Sequence, residues 1–589
     1  MSRAGLSSLL PLAVAIPLAA AAISPLAARL SRRAPLVLSA LALAATGGLL
    51  AVMAPTVYGG RILSHFMGHW LPIGGHALGI AFAADAWGIT FALATAFLGL
   101  LLVVYTLSEL GDLGRRELGG YSCLFLLLCA ALIGAALTAD LFNLFVWFEV
   151  AALASYALTA FFLERPIALE AAFKILVLTT IASFAIFIGA ALIYADHGAL
   201  NFGQIHRALA GHLRPADLVA LALLIGGFAT KAGLVPFHGW LPDAHTAAPG
   251  PISALFSGLM VNLGVVAIGR IVLDVYTPAV GHHVLGLLMV LGLISAVGGA
   301  LFALFQDDLK RLLAYDTISQ MGVLVVGLAT ATVGGVAGAG YHLIDHALFK
   351  ALLFLCAGSI VHMTGATKLS EMGGFGRRSP LLAAAFTVGA LAIAGIPPLN
   401  GYVSLGLIHD ALRSTGQAVP FAVMLVAQVL TIAALGKATW QAFYRRLPAG
   451  VEHERDERLH PGMVVTLAVL ATGCVAFGVF PTFVLDHLAA VAAGVLLHPA
   501  AYAHGVLAQG GAVPSMPVPF DYTYWSDILV VGCTVVAAVP VAMAGMRWAG
   551  TRPVVALRRV QTGSVNDYAA YLVVGLLTAV LVLAGTALR

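Results

Sequence analysis

The chain has 589 residues, of which 61% are hydrophobic and only 10% charged, with a formal net charge of +4. Soluble domains carry about 25% charged residues, so a string of soluble domains is excluded, and the small net charge leaves no nucleic-acid footprint. Apolar runs of about twenty residues, each long enough to cross the hydrocarbon of a bilayer, recur from end to end. The expected fold is an all-α polytopic membrane protein.

In chain order, about sixteen spans are predicted, centred near residues 18, 44, 95, 128, 151, 183, 226, 262, 294, 319, 348, 394, 429, 472, 537 and 578. The first run lacks a cleavage-type boundary and reads as span 1 rather than a removed signal peptide. Segment 60–80 is too polar and interrupted for a span and is expected to be a loop or a short re-entrant piece. The five cysteines, Cys123, Cys129, Cys356, Cys474 and Cys533, lie inside apolar runs without CxxC or Cys/His spacing. Neither a disulfide framework nor a metal site is expected. Connections after odd-numbered spans hold nineteen of the 30 Lys and Arg, from Arg29, Arg32 and Arg33 through Arg558 and Arg559. Connections on the other face hold Arg61, Arg207, Arg214 and Arg413. By the positive-inside bias the odd connections are cytoplasmic and both termini lie outside.

Six ionisable groups fall within predicted spans: Glu149, Lys174, Lys231, Arg270, Lys350 and Lys437. Each ion at mid-membrane costs roughly 2.5–3.5 kcal/mol, so six without partners would cost roughly 15–20 kcal/mol. They are therefore expected to face one another or internal water. Snorkelling or helix-pinning ion pairs are the competing explanation, and it weighs most for Arg270 and Lys437.

Span 11 reads YHLIDHALFKALLFLCAG, with His342, His346 and Lys350 at i, i+4 and i+8 on one helical face. Imidazole takes up and gives back protons near neutral pH, so the stripe suits proton passage. Lysine in place of a third ligand argues against a metal. Span 7 carries Lys231, and about one turn later Gly233, Pro236 and His238 interrupt it. Broken membrane helices are tolerated where they line a buried or hydrated cavity. Span 12 is interrupted likewise by Gly395, Pro397 and Pro398, with His409 and Asp410 beyond. Spans 4–8 and 9–13 form two groups of five, and an odd number of spans makes consecutive copies opposite in orientation. The likeness between them is one of pattern rather than residue identity.

The words LFNLFVWFEV, ATKAGLVPFHGWLPDAHTAAPGPISAL, DDLKRLLAYDTISQMG and YHLIDHALFKALLFLCAGS resemble the antiporter-like subunits of NADH:quinone oxidoreductase, Mrp cation/proton antiporters and membrane-bound hydrogenases. The resemblance covers roughly residues 80–445, and the HGWLPDAHTAAPGPISAL ending is more similar to the Mrp D and hydrogenase branches than to the quinone-reductase L subunit. It implies a fourteen-helix core with two inverted five-helix repeats and broken helices 7 and 12. The units expected are 1–119 (spans 1–3), 120–276 (first repeat), 283–445 (second repeat) and 446–589 (spans 14–16). It also implies a proton path through Glu149, Lys231, Lys310, His342, His346 and Lys350, with His238 in the span 7 break and Lys174 modulating the Glu149–Lys231 pair. Drawing Glu149 away from Lys231 would destabilise the lysine's charge and release its proton.

Two positions depart from that family. Many relatives carry Lys or Glu on helix 12 where this chain has Leu405. Leucine cannot titrate, so His409 and Asp410, one turn on, are the candidate exit, with a solvated helix end as the evenly weighted competing reading. The connector 549–566 is also too short for the extended lateral helix of the long quinone-reductase subunits.

The leading expectation is a proton-translocating subunit of a larger assembly in a prokaryotic plasma membrane. Its partners would be other membrane subunits, protons, lipid and, where cation exchange is coupled, Na⁺ or K⁺. No nucleotide, Fe–S or flavin motif appears, so no cofactor and no catalytic chemistry are expected in this chain. A self-sufficient Na⁺(K⁺)/H⁺ antiporter is an alternative, but a cation site wants oxygen ligands, and the interior is dominated by Lys and His. A membrane anchor without transport is the third reading, kept open by Leu405.

Overall fold

The computed structural model describes residues 3–109, 113–210, 213–276, 281–448, 459–514, 516–521, 525–548 and 561–587. Most of the 549–566 connector, with Arg552, Arg558 and Arg559, therefore lies outside the described residues, as do Arg455 and Arg458. Among the described residues, fifteen helices are long and apolar enough to cross a membrane. The short apolar helix Pro380–Ile393, continued after a break by Asn400–Ser414, is span 12 and completes the expected sixteen.

Spans 8 (Gly250–Val275) and 10 (Leu309–Ala329) are enclosed by protein along their apolar stretch, and span 11 (Val333–Thr364) nearly so. Spans 15 (Asp527–Arg547) and 16 (Val565–Gly585) sit at the periphery with mostly exposed apolar sides. Lipid offers no hydrophobic drive between helices, so close packing of small residues has to hold them. Span 9 (His282–Leu304) meets span 10 in this way. A Cβ on Gly322 would stand 2.4 Å from Ala296 N and Gly292 O, and one on Gly299 would stand 2.4 Å from Ser319 N.

Both predicted breaks are present, and they match more closely than expected. Span 7 (Pro215–Ala232) stops at Gly233 and resumes as the short helix Leu241–Ala247, here helix 7b. Gly233 and Gly395 share a left-handed φ of +71°, and each is followed by a cis X-Pro bond, Val235-Pro236 and Pro397-Pro398. The sequence AGLVPFHGW at 232–240 lies over AGIPPLNGY at 394–402 with identical Ala, Gly, Pro and Gly positions. The likeness is therefore one of residues as well as pattern. Each break frees backbone carbonyls that lipid could not satisfy. Trp240 Nε1 donates to Thr230 O at 2.8 Å across the first, and Gln428 Nε2 donates to Ala394 O at 3.1 Å across the second.

Segment 60–80 turns out to be part of an antiparallel β-hairpin, β1 (Leu63–Phe66) with β2 (Ala81–Ala84), and not a re-entrant piece. A second feature was not anticipated. Between spans 14 and 15, Pro481–Leu497 and Pro499–Val506 form a pair bent by 91°. This pair packs on the hairpin side, where Val513 N donates to Gly60 O at 2.8 Å. Arg270 pins the same layer, bonding Asp85 and Asp274 at 2.6 Å each and lying 4.3 Å over the Tyr502 ring. That bears out the helix-pinning reading for Arg270. Lys437 is a pin too, donating to Leu304 O at 2.6 Å and Gln306 O at 2.7 Å where span 9 ends.

Candidate functional site

The buried charges of spans 5, 7, 10 and 11 meet in pairs. Glu149 on span 5 (Leu141–Thr159) faces Lys231 at the end of span 7, Oε1 to Nζ 3.9 Å. Lys231 is only 3% exposed while Glu149 is 33% exposed, so the acid reaches the bundle surface and the base does not. At 3.9 Å the pair is an ion contact rather than a hydrogen bond, and neither facing atom has a hydrogen-bond partner.

Span 11 supplies the predicted stripe. Lys350 Nζ bonds Asp316 Oδ2 at 2.5 Å and Leu313 O at 3.0 Å, both on span 10, with Lys350 and Asp316 wholly buried. His342 sits between two partners, Ser404 Oγ at 3.0 Å through Nδ1 and Gln320 Oε1 at 3.0 Å through Nε2. Because Gln320 Oε1 only accepts, His342 presents Nε2–H to it and turns Nδ1 to the Ser404 hydroxyl, which is also 3.3 Å from Gly401 O. His346, one turn from each, is fully buried with both ring nitrogens unbonded.

Lys310 reaches past its own helix to donate to Ala248 O at 2.9 Å, closing the C-terminus of helix 7b. Lys174, which the resemblance gives a modulating role on the Glu149–Lys231 pair, has its contacts elsewhere, on span 6 and on helix 7b. It bonds Glu170 and Asp243 at 2.7 Å each, and Asp243 also pairs with Arg311 at 3.2 Å. Lys174, Lys310 and Arg311 together anchor helix 7b, the element that follows Lys231. His238 is half-buried inside the break, its Nδ1 unbonded.

Four acidic or basic groups of this axis escaped the sequence reading. Asp316 is the counter-charge of Lys350. Glu109, at the end of span 3 (Ala86–Glu109), lies within electrostatic reach of Lys310. His245 on helix 7b stacks on Phe354 at 4.5 Å and lies within electrostatic reach of both Lys310 and Lys350. Asp345, fully buried on span 11, faces Ser404 and Asn400 of span 12. Asp316 and Asp345 stood in the quoted words, and a count of carboxylates inside spans would have found them. His245 was visible as the second histidine of HGWLPDAH.

Of the exit residues, His409 is buried against Phe421, with ring centroids 5.5 Å apart. Asp410 is 43% exposed at its side chain and pairs with Arg413, which also holds Asp527 of span 15. Among the described residues, Asp196, His197 and Asp217 are a group at cation-binding spacing. His197 Nε2 is already bonded to Asp217 Oδ1 at 2.7 Å, and Asp217 caps span 7 through Arg214 N.

The family described as NADH:quinone oxidoreductase/Mrp antiporter, TM matches residues 138–431. NADH-quinone oxidoreductase subunit N of Desulforudis audaxviator is 34% identical over 494 residues, covering 81% of this chain and 97% of its own. The D-type subunit of the Na(+)/H(+) antiporter of Bacillus subtilis is 30% identical over 465 residues, covering 78% and 91%. Among solved structures, a chain of the Mrp complex from Dietzia sp. DQ12-45-1b aligns with a TM-score of 0.77 at 27% identity, over 85% of this chain and 99% of that one. A chain of the membrane-bound sulfane sulfur reductase, an archaeal respiratory membrane complex, aligns with a TM-score of 0.76 at 29% identity, over 86% and 100%. With that sequence likeness laid over a shared fold, the chain belongs to the NADH:quinone oxidoreductase/Mrp antiporter family of membrane proteins.

Proposed function

We propose that this chain is the proton-translocating subunit of a multisubunit membrane complex, carrying protons along a buried row of Glu, Lys and His. The observation that carries the reading is the Glu149–Lys231 contact at 3.9 Å, next to helix 7b and in the same bundle as the Lys350–His346–His342 stripe. A buried ion pair that can be pulled apart is a proton switch, because each partner's charge holds the other's. Helix 7b is the natural lever: it follows Lys231 directly and is gripped at its far end by Lys174, Arg311 and Lys310. Lys174 acts on the switch through Asp243 rather than by facing Glu149. His245 passes the proton between Lys310 and Lys350, and His346 and His342 carry it toward span 12.

The matching Ala-Gly and Pro-Gly positions of the two breaks support an inverted duplication of residues 120–276 and 283–445. The solved relatives are chains of larger membrane complexes, which supports other membrane subunits as the partners here. Redox or cation-exchange chemistry would then sit in those partners. The basic connections favour a prokaryotic plasma membrane with both termini outside.

Lys231→Ala and Glu149→Gln are expected to abolish proton movement in proteoliposomes of the purified complex while leaving its assembly intact. Normal flux from either variant would sink the relay.

A further inference from the structure

Leu405 stands where a titratable side chain is expected, and the structure shows what surrounds it. Its side chain borders two small cavities. The first, of about 10 Å³, is walled by Gln320, His409, Gln428 and Thr431. The second, of about 20 Å³, is walled by His409, Gln428, Arg413 and Asp527. Each has room for about one water, and a water is held only where polar groups receive it. Here they do. His409 Nε2 and Gln428 Oε1 are both buried without a hydrogen-bond partner, and both residues wall both cavities. A single water between them satisfies the two atoms at once.

Side-chain contacts link the cavities to the rest of the axis at both ends. Gln320, which walls the first, takes the Nε2–H of His342 at 3.0 Å. The second reaches the Arg413–Asp527 pair, and Arg413 also bonds Asp410. Asp410 lines an open vestibule of about 490 Å³ on the hairpin side, with Ser414, Phe520 and Asp521. Resting on the relay reading above, we propose that protons leave by this route: His342, the water held by Gln320 and Gln428, His409, a second water, Asp527, and the vestibule. The route runs around Leu405. It uses a carboxylate from span 15, outside the residues 138–431 that match the family.

Each step is a transfer between neighbouring lone pairs. A swing of the Gln320 amide puts the first water on His342. The ring, made imidazolium by the proton arriving from the His346 side, gives its Nε2 proton to that water as the water passes one to His409 Nε2, and returns to neutral. His409 returns its proton to the second water, and the carboxylate of Asp527 takes it. Arg413 holds that carboxylate against Asp410, so the proton is released where the vestibule opens and Asp527 regains its charge.

Proton flux tests the route in the intact complex. In proteoliposomes, His409→Phe, Gln428→Leu and Asp527→Asn are each expected to slow proton flux about tenfold or more, with Asp527→Glu restoring it. Normal flux in these variants while Lys231→Ala is dead overturns the route and leaves the relay standing. Full flux in Lys231→Ala removes the relay first and the route with it.

Discussion

Lys350 and Asp316 show what one residue demands of another inside this bundle. Both are wholly buried, and their contact at 2.5 Å is the shortest along the Lys–His stripe. Removing one partner strands the other's charge in a dry site, and breaking such a pair costs about 3–5 kcal/mol. Asp316→Asn is therefore expected to lower the thermal stability of the purified protein sharply, read as loss of monodisperse material on heating. Lys350→Met combined with Asp316→Asn should recover most of that loss and still translocate no protons. If the double variant is no more stable than the single one, the pair is not what holds spans 10 and 11 here. The lysine was legible because a charge in an apolar run needs a partner or water to offset its cost. Its partner was not, because helical periodicity assigns a residue to a face without saying which helix lies opposite.

At the scale of elements, the breaks and the glycine contacts do different work. The breaks put non-helical backbone inside the membrane, and Trp240 and Gln428 satisfy the carbonyls exposed there. Gln428 thereby has two duties, its amide nitrogen holding the break and its oxygen facing the cavities beside Leu405. The glycines of spans 9 and 10 bring two backbones into contact. Gly322→Val would drive a side chain into span 9, and such overpacking costs typically about 1–3 kcal/mol. The folded yield of that variant should fall, whereas Gly48→Val on span 2 (Ala34–Tyr58), where a Cβ meets nothing within 4 Å, should express normally. Equal yields would mean that the close approach of spans 9 and 10 is not needed. The breaks were legible from Gly and Pro, but the close-packed pair was not, since 64 glycines look alike until their neighbours are known.

For the whole molecule, the connections sort onto two faces. The hairpin, the bent pair after span 14 and the vestibule share one face, and by the order of the spans the described basic connections, such as the one with Arg377 and Arg378, fall on the other. The bent pair returns to the side it left, since it packs against the hairpin layer, so it does not change the order of sixteen spans. His76→Cys in the hairpin connection and Arg377→Cys between spans 11 and 12, both exposed, should therefore react with impermeant thiol reagents from opposite sides of the membrane. Labelling of both from one side would overturn the sorting.

The amino-acid sequence by itself determined the membrane fold, the sixteen spans, the two breaks and the residues that bear charge in the interior. These follow from local rules: run length against bilayer thickness, the missing N–H of proline, and the cost of an ion in lipid. Only the tertiary structure decided the pairings. It set Lys174 against Asp243, gave Lys350 to Asp316, put His245 within electrostatic reach of two lysines, and brought Asp527 across some 114 residues to Arg413. A pairing depends on which helix faces which, and sixteen helices with similar apolar faces leave that choice to packing, close contacts of small residues above all.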